Sequence, residues 1–246
     1  MNIAQSLYIR TSKKRFARNF KPIGIKKRVN YLISPPAAIT GFLTWLPFLG
    51  ELHTLGHIVM LASRTLEPIL KITKPNLFEI MFYEKTLTVL TREFDHVKAS
   101  LAGRTFTYLI ELNSPVNLSL SFLVDAERRM TFYGTKFFPY FNILFKDDIK
   151  GFISYFPLEV EEPIRYMKLP AAELKKMRKD INKKHPLLFV NGPAPEVWEG
   201  DLIVPDRKLT PMTDIYKLLY ISDAYCGADD ELGRLAMIFN KPIINP

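Results

Sequence analysis

Cysteine is nearly missing from this 246-residue chain; there is one, Cys226. A single thiol excludes an intramolecular disulfide and any zinc site built on cysteines, and it fits a reducing compartment. Histidine is scarce as well, with four copies. His53 and His57 stand four apart, at helical spacing, but no HExxH pattern surrounds them. A partly exposed helix face is the plainer reading beside a metal pair. Glycine numbers only 11 against 18 Phe and 11 Tyr, and active-site turns are where glycine is most needed. No uninterrupted apolar run has the length of a membrane span. The longest uncharged stretch, Val29–Gly50, contains Asn30, Pro35-Pro36, Gly41 and Pro47. Its prolines divide it into a strand, a turn and a helix. Residues 1–30 also lack the apolar centre of a secretory signal.

Acid is absent from those same 30 residues. They hold Arg10, Lys13, Lys14, Arg15, Arg18, Lys21, Lys26, Lys27 and Arg28. The chain as a whole carries 34 basic and 25 acidic residues, a net charge of +9. Setting aside those nine basic residues leaves a body with 25 of each sign. The whole excess therefore sits in a basic N-terminal arm, residues 1–27, reaching Arg28 at its edge. Three roles stay open for it: a solvated or disordered extension, a grip on phosphate at a membrane surface or along RNA, and an organelle-targeting segment, given its Ser6, Thr11 and Ser12. The neutral body offers no basic stripe interleaved with aromatics, so an RNA contact would fall to the arm alone.

Past the arm, apolar strand-like runs alternate with helical ones. "RVNYLIS" (28–34), "HIVMLAS" (57–63), "NLFEIMFYE" (76–84), "TFTYLIELN" (105–113) and "RRMTFYG" (128–134) read as strands. Between them, 37–56, 65–73, 87–103 and 114–126 read as helices, the first kinked or broken near Pro47. A second run begins with "IKGFISYFP" (149–157) as a strand. It continues with a helix over 170–184, opened by Pro170 and ending in basic residues, then strands and helices to "KPIINP" (241–246). Such alternation predicts an α/β fold of parallel sheets covered on both faces, in two tandem doubly wound halves, 28–140 and 141–246.

Several stretches, in order, resemble the bacterial heptosyltransferases, which move heptose from ADP-heptose onto lipopolysaccharide core. "YLISPPAAITGFLTWLP" is similar to that family's first strand, loop and helix, and "HIVMLAS" to its second strand. "FTYLIELNSPVNLSLSFLVDAERRMTFYG" resembles its strand, Asp-Leu turn, helix and next strand. "LLFVNGPAPE" resembles the strand and Gly-rich turn of its second domain, and "TDIYKLLYISDAYCGADDELGRLAMIFNKPIINP" its donor-side helix, motif and last strand. The resemblance covers residues 28–246. It implies two Rossmann-like domains in the GT-B arrangement, an acceptor-side half followed by a nucleotide-sugar half. It also implies an ADP-sugar co-substrate, no metal or cofactor, and direct displacement with inversion.

Residue by residue, the match is altered at the places that carry chemistry. The family's catalytic Asp, in a Gly-Asp pair six residues before the proline, falls on Gly41, with Thr40 before it. Neither can take an acceptor proton well. Glu51, just beyond Pro47, is the nearest carboxylate and the candidate substitute. In the donor motif Asp229 keeps the family Asp, Asp230 and Glu231 replace Ser/Thr-Gly, and Arg234 stands at the family His. Small residues and free amides at a helix start accept a diphosphate; three carboxylates there repel it, though they are good helix-capping residues themselves. Glu196 matches an acid near the donor ribose, and Lys168, with Arg165, lies near a phosphate-contacting basic residue. Family members usually continue with a strand and a helix that crosses back, so a chain ending at Pro246 is expected to lack that clasp. Two functions follow. One is a transferase acting at the cytoplasmic face of the inner membrane, from a nucleotide-sugar to a lipid-linked glycan. The other is a catalytically inactive scaffold or subunit held in an assembly by Arg10, Lys13, Lys14, Arg15, Arg18, Lys26, Lys27 and Arg28.

Overall fold

The computed structural model describes residues 2–18, 29–84, 86–132, 137–145, 149–181 and 185–244. Within it the chain forms two compact units: Met1–Leu66 with Asn76–Val160, and Glu67–Pro75 with Glu161–Pro246.

The first unit is built on a six-stranded sheet. Its strands are β1 (Val29–Ser34), β2 (Gly56–Ser63), β3 (Glu79–Tyr83), β4 (Tyr108–Glu111), β5 (Arg128–Thr131) and β6 (Ile143–Leu144). All pair in parallel, in the order β3-β2-β1-β4-β5-β6. Strands buried on both faces need apolar residues at consecutive positions, and Leu32, Ile33, Met60, Leu61, Leu109 and Ile110 supply them, all fully buried. Helix α2 (Ile39–Leu52) connects β1 to β2 and buries Phe42, Leu46, Phe48 and Leu49. It runs through Pro47 without a break.

Four sequence expectations are corrected here. The basic arm is not a solvated extension over its described part: Ile3–Arg18 is a helix, α1. Asn2 and Gln5 cap its start reciprocally, each side chain accepting the other's backbone N–H, at 2.9 and 2.8 Å. Gln5, Ile9, Ser12 and Phe16 recur at 4-3-4 spacing and make one stripe, which is seated on the unit. Gln5 and Ile9 are buried, the Tyr140 hydroxyl donates to the Ile9 carbonyl at 2.5 Å, and the Phe16 ring meets Phe122 and Tyr140 edge-on. Residues 19–28, with Lys21, Lys26, Lys27 and Arg28, lie outside the described residues.

Residues 149–157 do not form a strand. Ile149–Ser154 is a short helix, α5: its sequence is apolar at 149, 152, 153, 155 and 156, which allows either period, and the burial of Phe152 selects the helix. Phe152 enters an aromatic group with Trp45, Phe48, Phe145 and Phe156. The stretch 114–126 yields only a 3-10 turn, Leu118–Phe122, since Asn117 folds back to accept the Ser119 amide. The 87–103 stretch is helical only from Arg92 to Ser100 (α4), where Thr91 caps it by accepting from the Phe94 amide. A short helix, α3 (Glu67–Lys71), also precedes the latter two, as expected from 65–73.

The second unit holds the four-stranded parallel sheet β10-β9-β7-β8. It comprises β7 (Leu187–Asn191), β8 (Asp201–Ile203), β9 (Ala224–Gly227) and β10 (Ile243–Ile244). Helices α6 (Ala171–Ile181), α7 (Met212–Ile221) and α8 (Glu231–Ile238) accompany it, and α3 packs on α7. Its core is Leu187, Leu188, Phe189, Ile215, Tyr216, Leu219, Tyr225 and Leu235.

Candidate functional site

In an open parallel sheet, ligands bind beyond the carboxyl ends of the strands, where the strand order reverses. Each unit has one such point. In the second it lies between β7 and β9: β8 leaves β7 on one side and β10 leaves β9 on the other. The last residues of the two strands, Asn191 and Gly227, are register partners. Gly227 is needed there, because a Cβ would stand 2.6 Å from the Asn191 carbonyl oxygen and 2.8 Å from the Tyr225 hydroxyl.

A closed polar cluster occupies this point. Asn191 Nδ2 donates to the Tyr225 hydroxyl at 2.9 Å and to Asp230 Oδ2 at 3.0 Å. Its Oδ1 accepts from Arg207 Nη2 at 2.5 Å, and the same nitrogen reaches Asp230 Oδ2 at 3.4 Å. The Tyr225 hydroxyl donates to the Ala228 carbonyl at 2.9 Å. Asp230 is the N-cap of α8: its Oδ1 accepts the amides of Leu232 at 2.9 Å and Gly233 at 3.3 Å. Partial burial pushes the Asp230 carboxyl up. Hydrogen bonds from Asn191 and the two amides, with Arg207 alongside, outweigh this and hold it below the usual carboxylate range.

The other donor-side candidates divide. Glu231, the first residue of α8, turns inward and accepts from the Tyr216 hydroxyl. Burial first, and then this carboxylate, push the Tyr216 phenol far up. Asp229 and Arg234 remain on the surface as a pair at 3.7 Å, with 70% and 55% of their side chains exposed; such a pair adds little. Glu196 is exposed in the loop that leaves β7 at the same edge. Lys168 is elsewhere in the unit. Its amide donates to the Ile72 carbonyl at 2.7 Å, and among the described residues its exposed side chain bonds to none of the others. Arg165 pairs with Glu161. The structure thus brings Asp229, Asp230, Glu231 and Arg234 to one helix start and Glu196 to the same sheet edge, and leaves Lys168 and Arg165 apart.

Arg207 and Asn191 escaped the sequence reading. Arg207 lies in a charged turn, "PDRKL", that reads as solvated. Asn191 carried a fainter signal, a polar residue ending an apolar strand directly before glycine.

In the first unit the reversal lies between β1 and β4, whose ends Ser34 and Glu111 are register partners. Glu111 is 0% exposed. Its oxygens accept from the Asn117 amide at 3.0 Å and Asn113 Nδ2 at 3.3 Å, and Asn113 also donates to Ser34 Oγ at 2.9 Å. Burial pushes the Glu111 carboxyl up to about 8, against the pull of these hydrogen bonds. A glutamate inside "YLIELN" was a visible signal of a buried polar group that was passed over.

Gly41, at the expected base position, and Glu51, the candidate substitute, lie at opposite ends of α2. Gly41 is in its first turn and backs onto Pro36: a Cβ there would stand 2.8 Å from the proline Cβ. Glu51 is in its last turn, close to where β2 begins, which is the amino edge of the sheet. Among the described residues no group of three or more His, Cys, Asp or Glu is placed to hold a metal ion, and no helix is long and apolar enough to cross a membrane.

Two parallel doubly wound sheets in series define an architecture of the Rossmann kind. No family model matches the chain, and no curated protein matches it in sequence. Solved structures do. The chain is similar to ADP-heptose LPS heptosyltransferase II of E. coli, with a TM-score of 0.63, 12% identity, and 88% of this chain and 84% of that one covered. It is similar to a glycosyl transferase family 9 protein from Veillonella parvula, with a TM-score of 0.65, 12% identity, and 92% and 83% covered. A third is the E. coli heptosyltransferase WaaC with ADP-2-deoxy-2-fluoro heptose, at 0.56 and 9%, with 88% of each chain covered. The fold is that of the GT-B heptosyltransferases.

Proposed function

We propose that this chain is a catalytically inactive protein of heptosyltransferase fold, serving as a scaffold or subunit and held to an anionic partner by its basic N-terminal segment. One observation carries the reading. At the α8 start, where a diphosphate would take backbone amides, the Asp230 carboxylate already takes those of Leu232 and Gly233, and keeps its negative charge there. The acceptor side supports it: Gly41 fills the position of the expected base and is packed against Pro36, while Glu51 lies at the amino edge.

A second reading has Arg207 in its favour. Its half-exposed guanidinium sits at the β7/β9 reversal, and a swing away from Asn191 would offer it to a nucleotide diphosphate. In that reading the protein is a transferase at the cytoplasmic face of a membrane, taking an ADP-sugar as donor and a lipid-linked glycan as acceptor, with Asp229, Asp230, Arg234 and Glu196 around the donor and Lys168, which lies apart, without a part in holding it.

Calorimetric titration with ADP- and UDP-sugars, with and without magnesium, separates the two. The expected result is no saturable heat for the native chain at millimolar donor, and measurable ADP binding for Asp230→Ser, which keeps a cap but removes the charge. Saturable binding by the native chain that Arg207→Ala abolishes would overturn the inactive reading.

A further inference from the structure

Helix α1 has two faces, and only one is seated. Opposite the stripe of Gln5, Ile9, Ser12 and Phe16, the 4-3 spacing aligns Ile3, Leu7 and Arg10, with Lys13 at the flank. Ile3 is 80% and Leu7 55% exposed, while Tyr8, between the two faces, packs its ring on Phe122. Arg10 and Lys13 are exposed, and neither pairs with a carboxylate among the described residues. No acid occurs in residues 1–30 to oppose them. We infer that this outer face of α1 docks the protein on an anionic lipid bilayer, Ile3 and Leu7 entering the headgroup layer while Arg10 and Lys13 lie on the lipid phosphates.

Charge complementarity selects the occupant. A short run of exposed aliphatic residues followed by cations along one helix face fits a surface that is anionic outside and apolar just beneath. A nucleic-acid backbone would use the cations and leave Ile3 and Leu7 in water. Because the inner stripe is anchored by Tyr140 and Phe122, the helix is presented already formed, without the ordering cost that a disordered arm would face on binding. This deepens the anchoring part of the proposed function and rests on it, while standing apart from whether a donor binds.

The test is flotation of the full chain with vesicles of phosphatidylcholine alone or mixed with phosphatidylglycerol, and, in parallel, retention on single-stranded RNA. Flotation is expected with the anionic vesicles only, weakening as salt rises. Arg10→Ala with Lys13→Ala is expected to lower partitioning roughly 30-fold. Ile3→Ser with Leu7→Ser is expected to lower it about tenfold, with an unchanged circular dichroism spectrum because both side chains face solvent. Equal flotation with neutral vesicles, or variants that partition like the native chain, would overturn the lipid inference. RNA retention that survives Ile3→Ser with Leu7→Ser, without flotation, would overturn it and leave the anchoring role. Binding to neither would overturn both.

Discussion

Asn191 and Asp230, 39 residues apart, are joined by a 3.0 Å hydrogen bond that ties the end of β7 to the cap of α8. Through it the strand end, the helix start and Arg207 form one closed unit at the sheet's reversal point.

Asp230→Ala removes the cap and takes one acceptor each from Asn191 and Arg207, which keep the Tyr225 hydroxyl and Asn191 Oδ1. It should lower stability by about 1–2 kcal/mol, the cost of a lost N-cap, in urea unfolding. Asp230→Ser, able to cap one amide, should cost less. Equal stability of the native chain and Asp230→Ala would mean that water replaces the carboxylate without loss.

Glu111 makes stability depend on pH. The fold raises its carboxyl from 4.5 to about 8, so the folded chain holds a proton that the unfolded chain releases between those values. Its stabilising contribution is therefore complete below pH 4.5 and lost as the pH rises through 8, on the order of a few kcal/mol. Glu111→Gln keeps an acceptor for the Asn117 amide and does not titrate. Unfolding curves from pH 5 to 8.5 should slope downward for the native chain and flatten for this variant.

Asp230 acts with the opposite sign. Its depressed carboxyl contributes stability that is present above 3.8 and lost as the pH falls through its lower folded value. The loss is confined to strong acid, where Asp230→Ser should show less acid sensitivity than the native chain.

Placing an aspartate at position 41, where the resemblance to heptosyltransferases expects one, should fail structurally before it can succeed chemically. In Gly41→Asp the new Cβ meets Pro36 at 2.8 Å. Either the β1–α2 loop shifts or overpacking costs roughly 1–3 kcal/mol. A lowered melting temperature without any gain in sugar transfer is the expected outcome, and unchanged stability would show that the loop yields freely.

The seat of α1 can be weakened from its other side. Tyr140→Phe deletes the hydroxyl that donates to the Ile9 carbonyl, worth about 1 kcal/mol. Amide exchange within Ile3–Arg18 should speed up about fivefold, while exchange in β1 and β4 stays as it was. Uniform change across both would mean that the helix unfolds only with the whole unit.

Much of the fold was legible because parallel strands, buried on both faces, declare themselves as short apolar runs such as "YLI" and "LLFV". What went unread has physical causes. Helix α1 hides behind its charges: four inward residues at helical spacing, one of them Gln5 and another Ser12, are enough once Tyr140 and Phe122 supply the other half. Residues 149–157 are apolar in both periods, and only packing around Phe152 decides for the helix. At the site, the capping role of Asp230 was readable from its place before an apolar helix. Arg207 was not, since a charged residue in a turn gains a partner only when β7 and α8 are brought together.

The bond between Tyr140 and Ile9 spans 131 residues. Ribosomes add about 5–20 residues each second, so α1 emerges roughly 7 to 26 seconds before its seat exists. Throughout that interval both of its stripes are open, and a nascent chain is at its most adhesive just where its positive charge is concentrated. Before that, the basic segment is an unseated part of a growing polypeptide, and only afterwards one wall of a finished domain.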